Sequence, residues 1–573
     1  MEDQVQQEAM QPKSKMKWII ITIVAVIVVA AGAFALRAFV FTTDKENYFL
    51  AEKQNLEHLQ ETLENRFEQE LAWVEHSNEN AVESAFDITA QVDHPNLSGF
   101  GYNEIINNAS ISVQSAIDKE NQMASGSLSA SIADFKIDGL EGFLDSNDLY
   151  TGLPFLEEYL QVNGDDLGRI LSEIDPASYT GDENVDFTML FQDNALPEED
   201  LEYLQDEYLT YLYDQLPDEA FDSTSETVTV GDNEINADKI SFQLTEEQFR
   251  TIFTELFDKM AQDEQLQQMV VNQLGYATFV NTLSPTDVME SMKEDFSSSL
   301  QEASENISNL ELPDGFNSTI WVDDGVIVQR DLQGTFEMNG QSENISITGS
   351  HAVSDTTQTL EYTFTSGTDG NEETLTVNAD LSNEEGETND TYTFSTEMGS
   401  ATVGLQQSEQ GDNDKQFEYS LSLEEYDSHL FSVYWLGEAT YESDQMSIDH
   451  TLYADDGMNV NQDVASLHIA QTGSTINEVE IPNPDQVQNL SDMSGDEILN
   501  YFETDVAQAF QEWASEIFGP ESLMPGMDPN PGSGFDSEME QPLEPSTEFD
   551  ESDFDRELTE EEQQALDELL ESQ

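Results

Sequence analysis

The chain has 573 residues, with 120 Asp and Glu against 17 Lys and Arg, a net charge of −103 and no cysteine. So acidic a chain is no phosphate-contacting nucleic-acid binder, which needs clustered Lys and Arg. Without cysteine there is no disulfide, thiolate zinc site, iron–sulfur cluster, cysteine nucleophile or lipidated lipoprotein cysteine.

Trp18 to Leu36 is an uncharged apolar run. As a helix it spans about 28 Å, the thickness of a hydrocarbon core. Lys13, Lys15 and Lys17 precede it and Arg37 follows. The positive-inside rule then makes residues 1–17 cytoplasmic, 18–40 a transmembrane helix and the remainder extracellular. The rival reading is a cleaved signal peptide, with Ala33-Phe34-Ala35 as a small-x-small site. The run is long for a signal peptide and Phe39-Val40-Phe41 follows with no polar break, so the uncleaved anchor is the reading adopted.

Residues 44–80 read as a membrane-proximal helix. Leu56, Leu59, Leu63, Phe67, Leu71 and Val74 recur at steps of three and four, giving one apolar face over Asp44 to His76. That face packs on the helix's own domain or forms a dimerising stalk. Residues 81–310 read as α+β. Phe86, Ile88, Ala90 and Val92 alternate with polar residues, as do Ile111 and Val113, and Leu128, Ala130 and Ile132. Helices are expected from Leu153-Pro154 to Ile174 and from Pro197 to Leu216. Another is expected from the capping box Thr245-Glu246-Glu247-Gln248 to Leu274, and a fourth after Ser284-Pro285.

Residues 311–518 read as β-rich with a closing helix from Gly495 to Phe518. Ile320 and Val322, Phe336 and Met338, Ile345 and Ile347, Leu360, Tyr362 and Phe364, and Phe417, Tyr419, Leu421 and Leu423 alternate with polar residues between turns such as Asp324-Gly325 and Asp456-Gly457. This is the pattern of an antiparallel meander with one apolar face, for which the preceding helices are the natural cover. Residues 519–573 read as an acidic disordered tail. The tail holds 18 acids and one Arg, so most of the charge belongs to the preceding body. Its scatter over strands and helices reads as adaptation to salt or alkali.

No catalytic motif is present. There is no GxSxG, GxxxxGK[ST], GxGxxG or HExxH, and no compact spacing among the seven histidines. His450 lies on a strand's apolar face with Met446, Ile448 and Leu452 and reads as a core histidine. Asp412-Asn413-Asp414 starts like a calcium loop but lacks the glycine at position six. Among 120 carboxylates some close pairs are unavoidable, so a pair alone identifies no hydrolase. No catalytic, cofactor-binding or metal residue is nominated.

A Lys-flanked anchor followed by YFLAEKQNLEHL (Tyr48 to Leu59), with DLYTGLPFLEEYL (Asp148 to Leu160) and IPNPDQVQNLSDMSGDEI (Ile481 to Ile498), resembles membrane-anchored exported proteins of Bacillus-type bacteria (DUF6583-like). The sheet-with-helices pattern and TIWVDDGVIVQRDL (Thr319 to Leu332) resemble the half-barrel of LolA/LprG-type lipoprotein carriers. That resemblance implies a curved sheet and covering helices around an apolar cavity for acyl chains. The expectation is therefore an α+β fold: an N-terminal transmembrane helix, then antiparallel curved sheets covered by helices. The expected protein is single-pass in the cell membrane and non-enzymatic, with its body extracellular. It binds lipid or another apolar molecule between sheet and helices. The alternative is a cell-envelope structural or sensor module without a small-molecule ligand. Expected partners are the bilayer through Trp18–Leu36 and a second copy through the 44–76 helix, with no nucleic acid and no cofactor.

Overall fold

Thr43 opens the first helix of the computed structural model with a capping box. Its hydroxyl accepts from the Glu46 N–H (3.2 Å) and the Glu46 carboxylate accepts from the Thr43 N–H (3.0 Å). Two helices follow almost end to end, α1 (Asp44–Arg66) and α2 (Glu68–Glu79), interrupted only at Phe67. The structure describes residues 43–518, except 94–101, 133–134, 280–284, 483–485, several positions between 176 and 197, and single residues at 232, 339, 369, 412, 427 and 459. Two compact units divide the chain, residues 1–513 and 514–573, and the elements below up to residue 501 belong to the first.

Strands β1 (Val82–Val92), β2 (Ser110–Asp118), β3 (Met123–Ile132), β4 (Phe135–Leu144), β5 (Asp148–Gly152) and β6 (Tyr159–Asn163) form a meander. Next come the hairpin β7 (Phe221–Val230) and β8 (Asn233–Leu244), then β9 (Phe316–Asp323), β10 (Val326–Met338) and β11 (Gln341–Val353). The longest run continues with β12 (Thr357–Thr368), β13 (Asn371–Glu384), β14 (Glu387–Ser395), β15 (Gly399–Glu409) and β16 (Asp414–Glu425). It closes with β17 (Ser428–Tyr441), β18 (Gln445–Asp455), β19 (Ala465–Thr475) and the short β20 (Val487–Asn489). Tight turns connect neighbours. Asp324 and Gly325 both have positive φ (45° and 85°), the geometry whose twist matches flanking antiparallel strands.

All twenty strands form one sheet. Its order runs from β7 through β19 in sequence, then β1 to β6, and ends on β20, which pairs parallel to β6. The joint is β1. It pairs antiparallel with β19 on one side (Ile88 opposite Ile469) and β2 on the other (Ile88 opposite Ile111). Register puts Phe364, Leu375, Phe394, Leu421, Val433 and Leu467 on one face and mainly Ser, Thr, Gln and acids on the other.

Helices cover the apolar face at the β8–β11 end. There α4 (Glu246–Ala261) buries Phe249, Phe253 and Phe257 against Phe316, Ile320 and Phe336. Its expected capping box is formed: the Gln248 N–H donates to the Thr245 hydroxyl and the Thr245 N–H to the Gln248 side chain. The helix ends sooner than periodicity suggests. Asp263 caps a new helix, α5 (Glu264–Phe279), by accepting from the Gln265 and Leu266 N–H groups, and α6 (Pro285–Ser308) packs on α4 through Ser304 to Asp258. At the other end, Leu160 of β6 and Leu490 pack with Ile170 of α3 (Leu167–Ile174) and Ile498 of α7 (Gly495–Tyr501).

Several expectations are corrected here. The α+β arrangement of an N-terminal transmembrane helix and helix-covered sheets gives way to one 20-stranded sheet, helix-covered only in part. Periodicity finds many of the strands, but not β6 and not the β1–β19 pairing, which joins residues almost four hundred positions apart. The helix expected from Leu153 to Ile174 is instead β6 followed by α3. The anchor Trp18–Leu36 and the 519–573 tail lie outside the described residues. Among those described, no helix is long and apolar enough to cross a membrane.

Candidate functional site

The helix pair α1–α2 lies across the apolar face, and its sheet-facing side is polar. Tyr48 hydrogen-bonds Ser318 of β9 (2.7 Å). Glu52 accepts from both terminal nitrogens of Arg330 on β10 (2.8 and 2.6 Å). Arg66 donates twice to Asp390 on β14 (2.9 and 3.2 Å). Lys415 of β16 donates to Glu70 (2.8 Å) and to the Arg66 carbonyl (2.9 Å). His76 meets Thr475 of β19 (2.8 Å). From Tyr48 to His76 a helix advances about 42 Å, and β9 to β19 covers about 48 Å at the usual strand spacing. The pair therefore runs crosswise over eleven strands. At Gly473 a Cβ would meet the Trp73 ring at 2.7 Å, so glycine lets Trp73 lie on β19.

These contacts are electrostatically demanding. Burial opposes charge on Arg330, yet the adjoining Glu52 carboxylate raises its pKa above the ordinary arginine value. Burial lowers the Lys45 pKa despite Asp218 nearby, and Lys45 donates to the Leu216 carbonyl (2.6 Å). His351 of β11 faces His58 with ring centroids 5.8 Å apart, and burial, with His58 adding to it, lowers the His351 pKa. Gln358 links the site: its Oε1 accepts from the His351 ring (3.1 Å) and its Nε2 donates to the Thr62 hydroxyl (3.0 Å).

Tyr48, Phe49 and Ala51 are buried in the core, but farther along, where polar residues turn inward, apolar residues of the helix pair are left outside. Leu56, Leu63, Leu71 and Val74 are 47–53% exposed. At 3.6 residues per turn, Leu56, Leu63 and Phe67 fall within about 40° of one another round the axis. Phe67 sits 6.4 Å from the Tyr419 ring. Tyr419 lies between Lys415 and Leu421 on the same face of β16, so this flank of the helix borders the sheet beyond it. There the apolar face is bare. Phe364, Leu375, Phe394, Leu421, Val433, Leu467, Ile111 and Leu128 form a band from β12 to β3, each 36–44% exposed. The turns at its outer edge continue it with exposed Met398, Tyr426 and Met458, interspersed with Glu397, Glu424, Glu425, Asp455 and Asp456. An exposed apolar strip of this extent is unusual on the surface of a soluble monomer.

His450 is buried as expected. It accepts from the Trp435 indole N–H (3.0 Å) and meets Gln471 (3.0 Å). Among the described residues, no group of three His, Asp or Glu is arranged to hold a metal. The band was overlooked in sequence because its residues read as core. The signal for the helix orientation was available in its charges: Lys45, Glu52, Thr62 and Arg66 recur at helical spacing opposite the solvent-facing acids.

No family model matches the chain, and no curated protein matches it. Among solved structures it is similar to OccAB2 of Acinetobacter baumannii (TM-score 0.22, 6% identity, 69% of this chain and 97% of that one). It is also similar to a BenF-like porin of Pseudomonas fluorescens Pf-5 (0.21, 7%, 69% and 98%). A third is OmpT, an outer membrane protein of Vibrio cholerae (0.15, 8%, 69% and 97%). Likeness at this level concerns the succession of strands and says nothing of what the sheet binds or conducts.

These findings overturn the resemblance to membrane-anchored exported proteins of Bacillus-type bacteria and to LolA/LprG-type carriers. No family model and no curated protein carries that resemblance, and one 20-stranded sheet stands where the half-barrel was expected. The covering helices instead fill a solid core, with Phe249, Phe316 and Ile320 wholly buried. Three concavities, of about 910, 570 and 390 Å³, are lined mostly by polar side chains. A lipid held between sheet and helices is therefore withdrawn. The single-pass cell-membrane placement with a bilayer-anchoring helix is not carried further either: among the described residues no helix is long and apolar enough to cross a membrane. The 44–76 helix, expected to pack on its own domain or form a stalk, is seated on its own sheet through buried ion pairs on its polar side.

Proposed function

We propose that this is a non-enzymatic polypeptide-binding protein. Its working surface is the bare apolar band, bordered on one side by Leu56, Leu63 and Phe67 and on the other by the acidic turns. The partner is an amphipathic polypeptide segment rich in lysine or arginine. The observation carrying this reading is the exposure of large apolar residues on eight strands of one sheet face between β12 and β3. Charge complementarity selects the partner: a chain of −103 repels acidic segments and attracts basic ones. Covering the exposed remainder of eight such side chains contributes on the order of 4–8 kcal/mol, taking roughly 0.5–1 kcal/mol each as the unburied share of a full side-chain transfer. Ordering of the partner offsets part of this.

The test uses two model peptides of about 18 residues, one patterned Leu/Lys and one Leu/Glu, titrated into the full chain at physiological salt. The Leu/Lys peptide binds saturably, and Leu421→Glu with Val433→Glu abolishes binding while the unfolding midpoint stays put. Equal binding of the Leu/Glu peptide, or wild-type affinity in the double variant, would sink the proposal.

A further inference from the structure

We propose that the opposite, polar face of the sheet carries a second site, over β14 to β18, for a linear oligosaccharide of amino sugars. A concavity of about 570 Å³ lies there, within the range of small-molecule sites. Register arranges its lining as cross-strand rows. One row runs Gln416, Glu438, Asp449, and the next Gln406, Glu418, Leu436, Thr451. In the row beyond, Tyr434 and Tyr453 stand opposite each other with rings stacked 4.8 Å apart at 15°. Burial raises the Tyr453 pKa, and the charge of Glu418 raises it further, consistent with Glu418 standing beside the pair.

Three features select the ligand class. Planar amides and carboxylates at neighbouring positions can pair with adjacent hydroxyls of a pyranose, each acceptor or donor satisfied two at a time. The tyrosines, stacked face to face, present two phenol groups and ring edges beside the carboxylates, and the outer ring face of the stack suits the C–H face of a sugar ring. The lining holds carboxylates and no lysine or arginine, so a ring bearing an ammonium is favoured over a neutral one. Strand spacing makes the site about 19 Å long over its five strands. It is open along that length, which suits a chain passing through better than an enclosed monomer. A basic peptide would satisfy the carboxylates but would make no particular use of the tyrosine pair.

The experiment is calorimetric titration of the full chain with a glucosamine hexamer, its neutral glucose counterpart and hexalysine, at about 0.15 M salt, where long-range attraction is screened. The glucosamine hexamer is expected to bind most tightly. Glu418→Gln and Tyr434→Ala should each weaken it at least tenfold without moving the unfolding midpoint. Neither substitution touches the apolar band, so Leu/Lys peptide binding should persist in both. Absence of saturable binding of the glucosamine hexamer overturns the proposal. So does hexalysine binding of equal strength together with indifference to Tyr434→Ala, which would reduce the site to charge attraction alone.

Discussion

Replacing Glu52 by Gln tests whether the helix pair is seated on the sheet through its charges. Glu52 and Arg330 are 3% and 8% exposed at the side chain and meet in a two-pronged pair at 2.6 and 2.8 Å. The substitution is nearly isosteric and removes one charge, leaving the guanidinium buried without its counterion. Breaking such a pair destabilises by about 3–5 kcal/mol. Replacing both partners with apolar residues of similar size, Glu52→Leu with Arg330→Met, should recover most of that loss, because desolvation of both charges disappears together. An exposed pair supplies the control. Lys136 and Asp138 are 69% and 65% exposed, and Lys136→Ala should change stability by under about 1 kcal/mol. Urea unfolding followed by far-ultraviolet circular dichroism reads all four proteins. If Glu52→Gln loses no more than the surface control, α1 is not held on the sheet by this pair and the inverted orientation of the helix is wrong.

Two further outcomes follow from the same contacts. The depressed pKa of His351 stabilises the folded state fully above the ordinary histidine value of 6.5, and this contribution is lost as pH falls through the lower folded pKa. Beside the ring stand His58 and the Gln358 amide, with the Arg330–Glu52 pair on the neighbouring strand and helix turn and the exposed Glu57 and Glu61 on α1. His351→Gln should therefore flatten the stability profile between pH 7 and pH 5, and an unchanged profile would assign the acid sensitivity to other groups. Raising sodium chloride from about 0.1 to 1 M shortens the screening length from about 10 to 3 Å. With a charge of −103, the thermal midpoint should rise steadily over that range. A flat or falling midpoint would mean that self-repulsion contributes little.

Much of the sheet was legible in residues with period-two spacing. Phe417, Tyr419, Leu421 and Leu423 do share a face, and the Asp324-Gly325 turn does join two strands. Local signals of this kind need only neighbours in sequence. The pairing of Val82–Val92 with Ala465–Thr475 has no local signature, since any exposed strand edge with matching alternation could have taken either place. The stretch Tyr159–Asn163 failed for another reason. With Leu156 just before it, Tyr159 and Leu160 satisfy helical spacing, but Leu160 is buried by strand pairing and by Leu490. The functional surface was hidden by a general assumption, that a helix turns its leucines inward. On α1 that assumption reverses, because the sheet offers Arg330, Asp390, Lys415 and His351 beneath it.

The reversal gives the charge imbalance a structural meaning. Of 17 Lys and Arg in the chain, Lys45, Arg66, Arg330 and Lys415 are all buried at the seat of the helix pair. Cations this scarce would be spread over the surface if they served only to moderate repulsion. Placed here, each neutralises or hydrogen-bonds an oxygen that packing would otherwise leave unsatisfied: Glu52, Asp390, Glu70 and the carbonyls of Arg66 and Leu216. An all-apolar seam would hold the helix as well or better, but it would turn Leu56 and Leu63 down onto the sheet. The polar seam keeps them at the border of the bare band, and the helix position and the binding surface are thus set by the same four side chains.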